Sequence, residues 1–123
     1  MSDAKRKESN HDRGVWAEHR AALYLSLRGY TIIAKRYKTK FGEIDLIASK
    51  SGVLVIAEVK ARKRLEDALE SVNVKTQRRI ANATLCFLAE HPAFAEHAIR
   101  FDVIAIENLV RIVHLDNAWE AGP

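Results

Sequence analysis

Apolar residues along this 123-residue chain fall into two kinds of run, one at helical spacing and one alternating or continuous. From Arg13 to Arg28 the spacing is helical, and Gly29 suits the left-handed residue past a helix end. The apolar positions form two stripes, Trp16, Leu23 and Leu27 on one and Val15, Ala21, Ala22 and Leu25 on the other. Two stripes predict a helix packed between layers. Tyr30–Tyr37, Gly42–Ala48 and Val53–Ala61 read as strands, the last two joined through the turn Ser49-Lys50-Ser51-Gly52. A short acidic helical piece, Leu65–Glu70, precedes a longer helix that starts at the N-cap residue Asn73 and stops at His91-Pro92. Its apolar face is read as Ile80, Ala81, Leu85 and Leu88, with Ala83 and Phe87 beside them. Ile99–Ile106 and Val110–Leu115 are the last strands. The order α-β-β-β-α-β-β predicts an α/β domain in which helices flank a mixed central sheet. Residues 13–116 form this single domain, with a loose tail at 1–12 and another at 117–123.

Composition narrows the setting. The 48% apolar content and the length suffice for a core without disulfides or structural metal. No run approaches the roughly 18 apolar residues of a membrane span, and no signal-peptide core precedes the first helix. A single cysteine, Cys86, and no Cys/His zinc spacing point to a reduced, cytoplasmic protein. The net charge of +4 is modest, but eleven of the twenty Lys and Arg lie in three short segments. These are Lys35, Arg36, Lys38 and Lys40; Lys60, Arg62, Lys63 and Arg64; and Lys75, Arg78 and Arg79, the last three in the first turns of a helix and facing solvent. Clustered cations fit a polyanion such as nucleic acid, and equally a solvated basic surface.

Three ionisable residues stand where strand interiors are normally apolar: Asp45 in the second strand, and Glu58 and Lys60 in the third. Alternation sets Glu43, Asp45 and Ile47 on one face and Ile44, Leu46 and Ala48 on the other. Glu58 and Lys60 share a face, about 6.6 Å apart along the strand. With suitable register Asp45 faces Glu58, so two carboxylates and an ammonium meet on one hairpin. Neighbouring carboxylates repel unless a cation lies between them, and oxygen ligands suit a hard ion such as Mg²⁺ or Mn²⁺. A lysine beside such a pair can orient a water or stabilise charge developing on phosphorus. The same residues also fit a strand-end Asp next to an exposed Glu–Lys pair. Glu18 lies one turn before Ala22 on the second stripe, where it reaches solvent at the helix edge or points at a group that wants a carboxylate.

The blocks Gly42-Glu43-Ile44-Asp45-Leu46-Ile47 and Ala57-Glu58-Val59-Lys60-Ala61-Arg62 resemble the D…(D/E)xK motif of the restriction-endonuclease-like superfamily. More closely, the chain resembles the bacterial YraN-like family of predicted endonucleases, itself similar to archaeal Holliday-junction resolvases. That resemblance spans Arg13 to Ile106 and includes Gly14, Glu18, Gly29-Tyr30, Lys75, Arg79 and Arg100-Phe101-Asp102-Val103. It departs where Arg36 stands in place of a common Asn, and Ala57 in place of a larger apolar residue. The resemblance implies a restriction-endonuclease-like core and a metal-dependent endonuclease acting on DNA, branched or otherwise structured. Asp45, Glu58 and Lys60 would be catalytic, with Mg²⁺ or Mn²⁺ held by Asp45, Glu58, Glu18 and the Val59 carbonyl. Glu43 would lie behind the ligands or in a salt bridge, Asp102 would also lie behind them and position Arg100, and the three basic segments would grip phosphates. By analogy with resolvases a homodimer is expected. The alternatives are a module with the same fold that binds nucleic acid without cutting it, and a protein–protein adaptor with a basic surface.

Overall fold

A computed structural model describes residues 3–62, 64–108 and 111–121, with side chains from residue 14 onward. Helix α1 (Asp3–Leu27) leads into three antiparallel strands, β1 (Thr31–Thr39), β2 (Gly42–Lys50) and β3 (Val53–Lys60). Helices α2 (Leu65–Glu70) and α3 (Val74–Glu90) and a 3-10 turn (Pro92–Phe94) then carry the chain to β4 (Ala98–Ile106), and β5 (Ile112–Trp119) follows. The sheet order is β1-β2-β3-β4-β5. Among the described residues only the β3–β4 pair is parallel, because α2 and α3 cross over between those two strands. This mixed sheet with helices on its faces is compatible with a restriction-endonuclease-like core. Among the described residues no helix is long and apolar enough to cross a membrane.

Helix α1 covers one face of the sheet. Ala17, Ala21, Ala22 and Leu25 pack there on Leu46, Ala48, Val55, Ala57 and Ile104, the small alanines letting helix and sheet approach closely. The stripe of Trp16, Leu23 and Leu27 is not buried along its length, since Leu23 is 50% and Leu27 79% exposed, so α1 lies on the sheet rather than between layers. Helix α3 covers the other face with Ile80, Ala83, Thr84 and Phe87, at i, i+3, i+4 and i+7. Thr84 takes the place expected of Leu85 because its hydroxyl donates to the Ile80 carbonyl (2.8 Å), while Leu85 is exposed. Strand β3 is buried on both faces from Leu54 to Val59, so Glu58 interrupts an otherwise continuous apolar run.

Turns and caps follow the expected chemistry. Asn73 accepts the Thr76 N–H at 2.9 Å and caps α3, and α3 ends at His91. The β2–β3 loop contracts to Ser51-Gly52, both at positive φ, as a two-residue hairpin requires. The expected tails shorten at both ends. Helix α1 begins at Asp3, in a stretch rich in the helix formers Ala, Lys, Arg and Glu. Strand β5 runs on to Trp119, whose indole stacks on Phe101 at 4.0 Å. Val110, the predicted first residue of that strand, lies outside the described residues.

Candidate active site

The β2–β3 ladder reaches only as far as the pair Leu46–Ala57, and the next positions along it are Asp45 and Glu58. There a side chain takes over from the main chain, and the Val59 N–H donates to Asp45 Oδ2 at 2.8 Å. On the other side of β2, Lys35 pairs with Leu46 and Tyr37 with Ile44. Arg36, between those pairs, lies at φ 51, a left-handed conformation that costs a residue with a side chain about 1–3 kcal/mol. Simple alternation fails at this kink, because Ile44 packs in the cluster of Ile47 rather than opposite it. The irregularity frees the start of β2 to turn Asp45 toward β3. It also explains why an Asn, which tolerates positive φ, would suit position 36.

Glu58 is 7% exposed and lies between two cations, with Lys60 Nζ at 3.6 Å and an Arg79 guanidinium nitrogen at 3.8 Å. The Glu58–Lys60 neighbour pair expected from alternation is therefore present. Asp45 is half-buried against Glu58, and its carboxyl is pushed up to about 8. Burial is the main cause, followed by the hydrogen bond shared with Glu58 and by that group's charge; the Val59 N–H and Lys60 oppose the rise.

Glu18 reaches the same place from α1. Its side chain is 12% exposed, and Arg36 Nε donates to Oε2 at 2.6 Å. Burial raises its pKa, Arg36 lowers it, and the neighbouring charges of Asp45 and Glu43 raise it again. Glu43 is the outermost acid, at 3.8 Å from Arg36, so it sits in a salt bridge as one of its two expected placements required.

Two arginines of the basic segments pair with the acids. Arg36 pairs with Glu18 and Glu43. Arg79, read from sequence as facing solvent, turns inward from α3 because carboxylate and carbonyl acceptors are within its reach, and NH1 donates to the Glu43 carbonyl at 3.1 Å. Its side chain lies across Gly42, which has φ +130; a Cβ there would stand 2.8 Å from NH1. Glycine is needed at position 42 on both counts. Gly42→Ala is expected to lower stability by about 2 kcal/mol and to expel Arg79 from Glu58. Thermal melts, and the Arg79 Nε–Hε resonance compared with wild type, check both effects.

The remaining cations lie outside the cluster. Lys35, Lys38, Lys40, Arg62, Arg64, Lys75 and Arg78 are exposed, Arg64 pairs with Glu66 at 3.4 Å, and Lys63 falls outside the described residues. Asp102 is apart from the cluster as well. It faces α1, whereas Val103, the neighbour of Glu58 in the register, faces α3. It is fully buried and accepts from Arg100 Nε and NH2 (both 2.9 Å) and from the Asn117 N–H (3.0 Å), with His114 Nε2 at 2.7 Å. The expectation that Asp102 positions Arg100 agrees with this geometry; a place behind Asp45 and Glu58 does not, since strand alternation turns the side chain to the opposite face.

Among the described residues no group of three or more His, Cys, Asp and Glu side chains is placed to hold a metal ion. The central donor set is a pair of neighbouring carboxylates, Asp45 and Glu58, at the positions just past the end of the β2–β3 ladder. That repulsion is what a hard divalent cation relieves, and two carboxylates completed by water and phosphate oxygens are a usual Mg²⁺ set. The residues present therefore fit such an ion.

Fold and site together define an α/β protein with carboxylates and a lysine gathered where two central strands part. Residues 17–106 match the family described as "Uncharacterised protein family UPF0102". A UPF0102 protein of Azorhizobium caulinodans is 42% identical over 116 residues, covering 94% of this chain and 88% of the relative. Another, of Rhodopseudomonas palustris (strain BisB18), is 43% identical over 110 residues, covering 89% and 82%. A third, of Bradyrhizobium diazoefficiens, is 47% identical over 109 residues, covering 89% and 82%. The chain belongs to UPF0102, the YraN-like family that its motifs resemble.

Proposed function

We propose that this protein is a metal-dependent endonuclease that hydrolyses phosphodiester bonds in DNA. The supporting observation is the pairing of Asp45 with Glu58 at the parting of β2 and β3, with Lys60 Nζ 3.6 Å from Glu58. Asp45 and Glu58, with the Val59 carbonyl, would hold Mg²⁺ or Mn²⁺, which when bound supplies charge neutralisation and a polarised water. Lys60, at the end of β3, holds its ammonium beside the carboxylates, where it can orient a water or meet charge on a phosphate oxygen. Val59 fixes the Asp45 carboxylate through its N–H. Glu18 reaches the ion only by exchanging Arg36, so its part in the ligand set depends on that arginine moving. The exposed cations of β1, of the segment after β3 and of α3 supply sequence-independent phosphate contacts that weaken with salt.

The test is cleavage of labelled junction, flap and duplex DNA with Mg²⁺ or Mn²⁺. Wild type is expected to cut at least one of them, with Asp45→Ala and Lys60→Ala each slower by at least about 100-fold. Equal activity in the variants, or none in wild type on any substrate, rejects the reading.

The Glu18–Arg36 ion pair favours one other reading, in which the fold binds nucleic acid without cutting it. Binding that survives Glu58→Gln and needs no divalent ion, in a protein that cuts nothing, is the result that reading expects.

A further inference from the structure

Five large apolar side chains stand out into solvent among the described residues: Leu23, Leu27, Phe41, Val74 and Leu85. Four are aliphatic and lie on helices. Phe41 is the one aromatic, 42% exposed, at the tip of the β1–β2 hairpin, and it belongs to neither core cluster. Folding does not require it there.

The tip is held rigidly. Thr39 Oγ1 donates to the Gly42 carbonyl at 2.9 Å and accepts the Phe41 N–H at 3.1 Å, so one hydroxyl closes the turn from both sides. Lys40 Nζ lies 5.3 Å from the Phe41 ring centroid, and Lys38 and Lys40 are exposed. The next residues, Gly42 and Glu43, carry the Arg79 side chain. Asp45 follows four residues along the chain, about 13 Å of extended strand. A half-exposed ring with Lys40 over one face, a second cation and a backbone fixed by Thr39 thus stand at the tip of the hairpin whose strand β2 leads to Asp45.

Cations interleaved with a presented aromatic ring are the combination that holds single-stranded nucleic acid, the cations tracking phosphates while the ring stacks on a base. A base inside a duplex already has neighbours on both faces and offers a protein only its edges, so this ring can engage it only once it is unpaired or extruded. We propose that the β1–β2 tip, Lys38–Gly42, is a stacking subsite for one unpaired nucleobase. Phe41 supplies the ring and Lys38 and Lys40 the phosphate contacts. The substrate class is then DNA carrying a single-stranded nucleotide beside the site: a single strand, a flap or an open branch. This deepens the endonuclease reading and rests on it for the nearby chemistry, although the subsite itself is a matter of binding.

The experiment compares the full chain with Phe41→Ala, Phe41→Leu and Phe41→Trp, all expected to melt with wild type because the ring is exposed. Fluorescence anisotropy follows a labelled 12-mer oligothymidylate and a labelled 12-base-pair duplex at low salt in EDTA, so that no hydrolysis enters. Phe41→Ala and Phe41→Leu are expected to bind the single strand roughly tenfold more weakly, Phe41→Trp at least as tightly as wild type, and all four to bind the duplex within about twofold. Equal losses on both DNAs, or no loss on either, overturn the subsite and leave the endonuclease reading to its own cleavage assay. Failure of wild type to bind either DNA at low salt overturns both.

Discussion

Asp45→Asn is expected to unfold at higher temperature than wild type at pH 9, and close to wild type at pH 4.5. The carboxyl ionises near 3.8 in an unfolded chain and at about 8 in the folded protein. Below pH 3.8 it is protonated in both states and contributes no pH dependence. As pH rises from about 4 to 8, the unfolded chain gives up this proton and the folded protein keeps it, so the folded state steadily loses ground. Above about 8 the loss is complete and constant. An amide at this position keeps an oxygen for the Val59 N–H and a donor for Glu58 while never ionising. A stabilisation on the order of 3 kcal/mol at pH 9 follows, well below the full conversion of the shift because the pair is coupled and reached by solvent. Urea titrations of both proteins from pH 4.5 to 9 read this directly. Parallel pH profiles for the two would mean that burial and the neighbouring Glu58 do not hold the Asp45 proton in the folded protein. Divalent cation adds a second arm: under the proposed function, millimolar Mn²⁺ at pH 9 restores wild-type stability and does so less for Asp45→Asn.

That expectation began with a charge in the wrong place, and this was what the sequence could show. Asp45, Glu58 and Lys60 stood out because strand interiors are apolar, and their spacing predicted the Glu58–Lys60 contact that the structure contains. The arginines could not be read in the same way. Arg36 and Arg79 belong to basic runs, where a cation looks like surface. What draws them inward is carboxylate and carbonyl acceptors on other elements, 18 and 36 residues distant. Nor was the kink legible, because alternation assumes a regular pleat and Arg36 breaks it with one left-handed residue. The departure from the resembled family's pattern at position 36, Arg in place of Asn, was the available signal, since Asn is among the residues that adopt that conformation. Phe41 carries no signal of its own in the sequence. Its meaning depends on Thr39 fixing the tip and on Arg79 lying alongside. The outline of the fold needed less, since periods of 3.6 and 2 located the helices and strands to within a few residues except at the two ends. The C-terminal end depends on a contact far away in sequence, the stacking of Trp119 on Phe101.

The largest loss of stability is expected from Asp102→Ala. Asp102 joins three groups on two strands: Arg100 on its own strand, and His114 and the Asn117 backbone on β5. The network extends through Arg100 to the Tyr30 hydroxyl (2.8 Å) and through His114 Nδ1 to the Tyr24 hydroxyl (3.2 Å). Burial would push this carboxyl up, but hydrogen bonds from His114, Arg100 and Asn117 outweigh it and hold Asp102 below the usual carboxylate range. The Arg100 guanidinium is raised by the same bond. Alanine would leave a half-buried guanidinium, the His114 ring and the Asn117 N–H without their shared acceptor. Asn117 sits at φ 50, a conformation that costs free energy unless something fixes it. Removing one partner of a buried ion pair typically costs about 3–5 kcal/mol, most of it from the group left behind. Chemical denaturation of Asp102→Ala should show a loss of that order, with hydrogen exchange rising in β5 before the rest of the sheet. Arg100→Met with Asp102→Leu should recover much of the loss, because an apolar pair leaves no unpaired charge, although His114 and Asn117 still lack an acceptor. A single Asp102→Ala variant within about 1 kcal/mol of wild type would show that water replaces the carboxylate and that β5 is held by Trp119 and its aliphatic contacts instead.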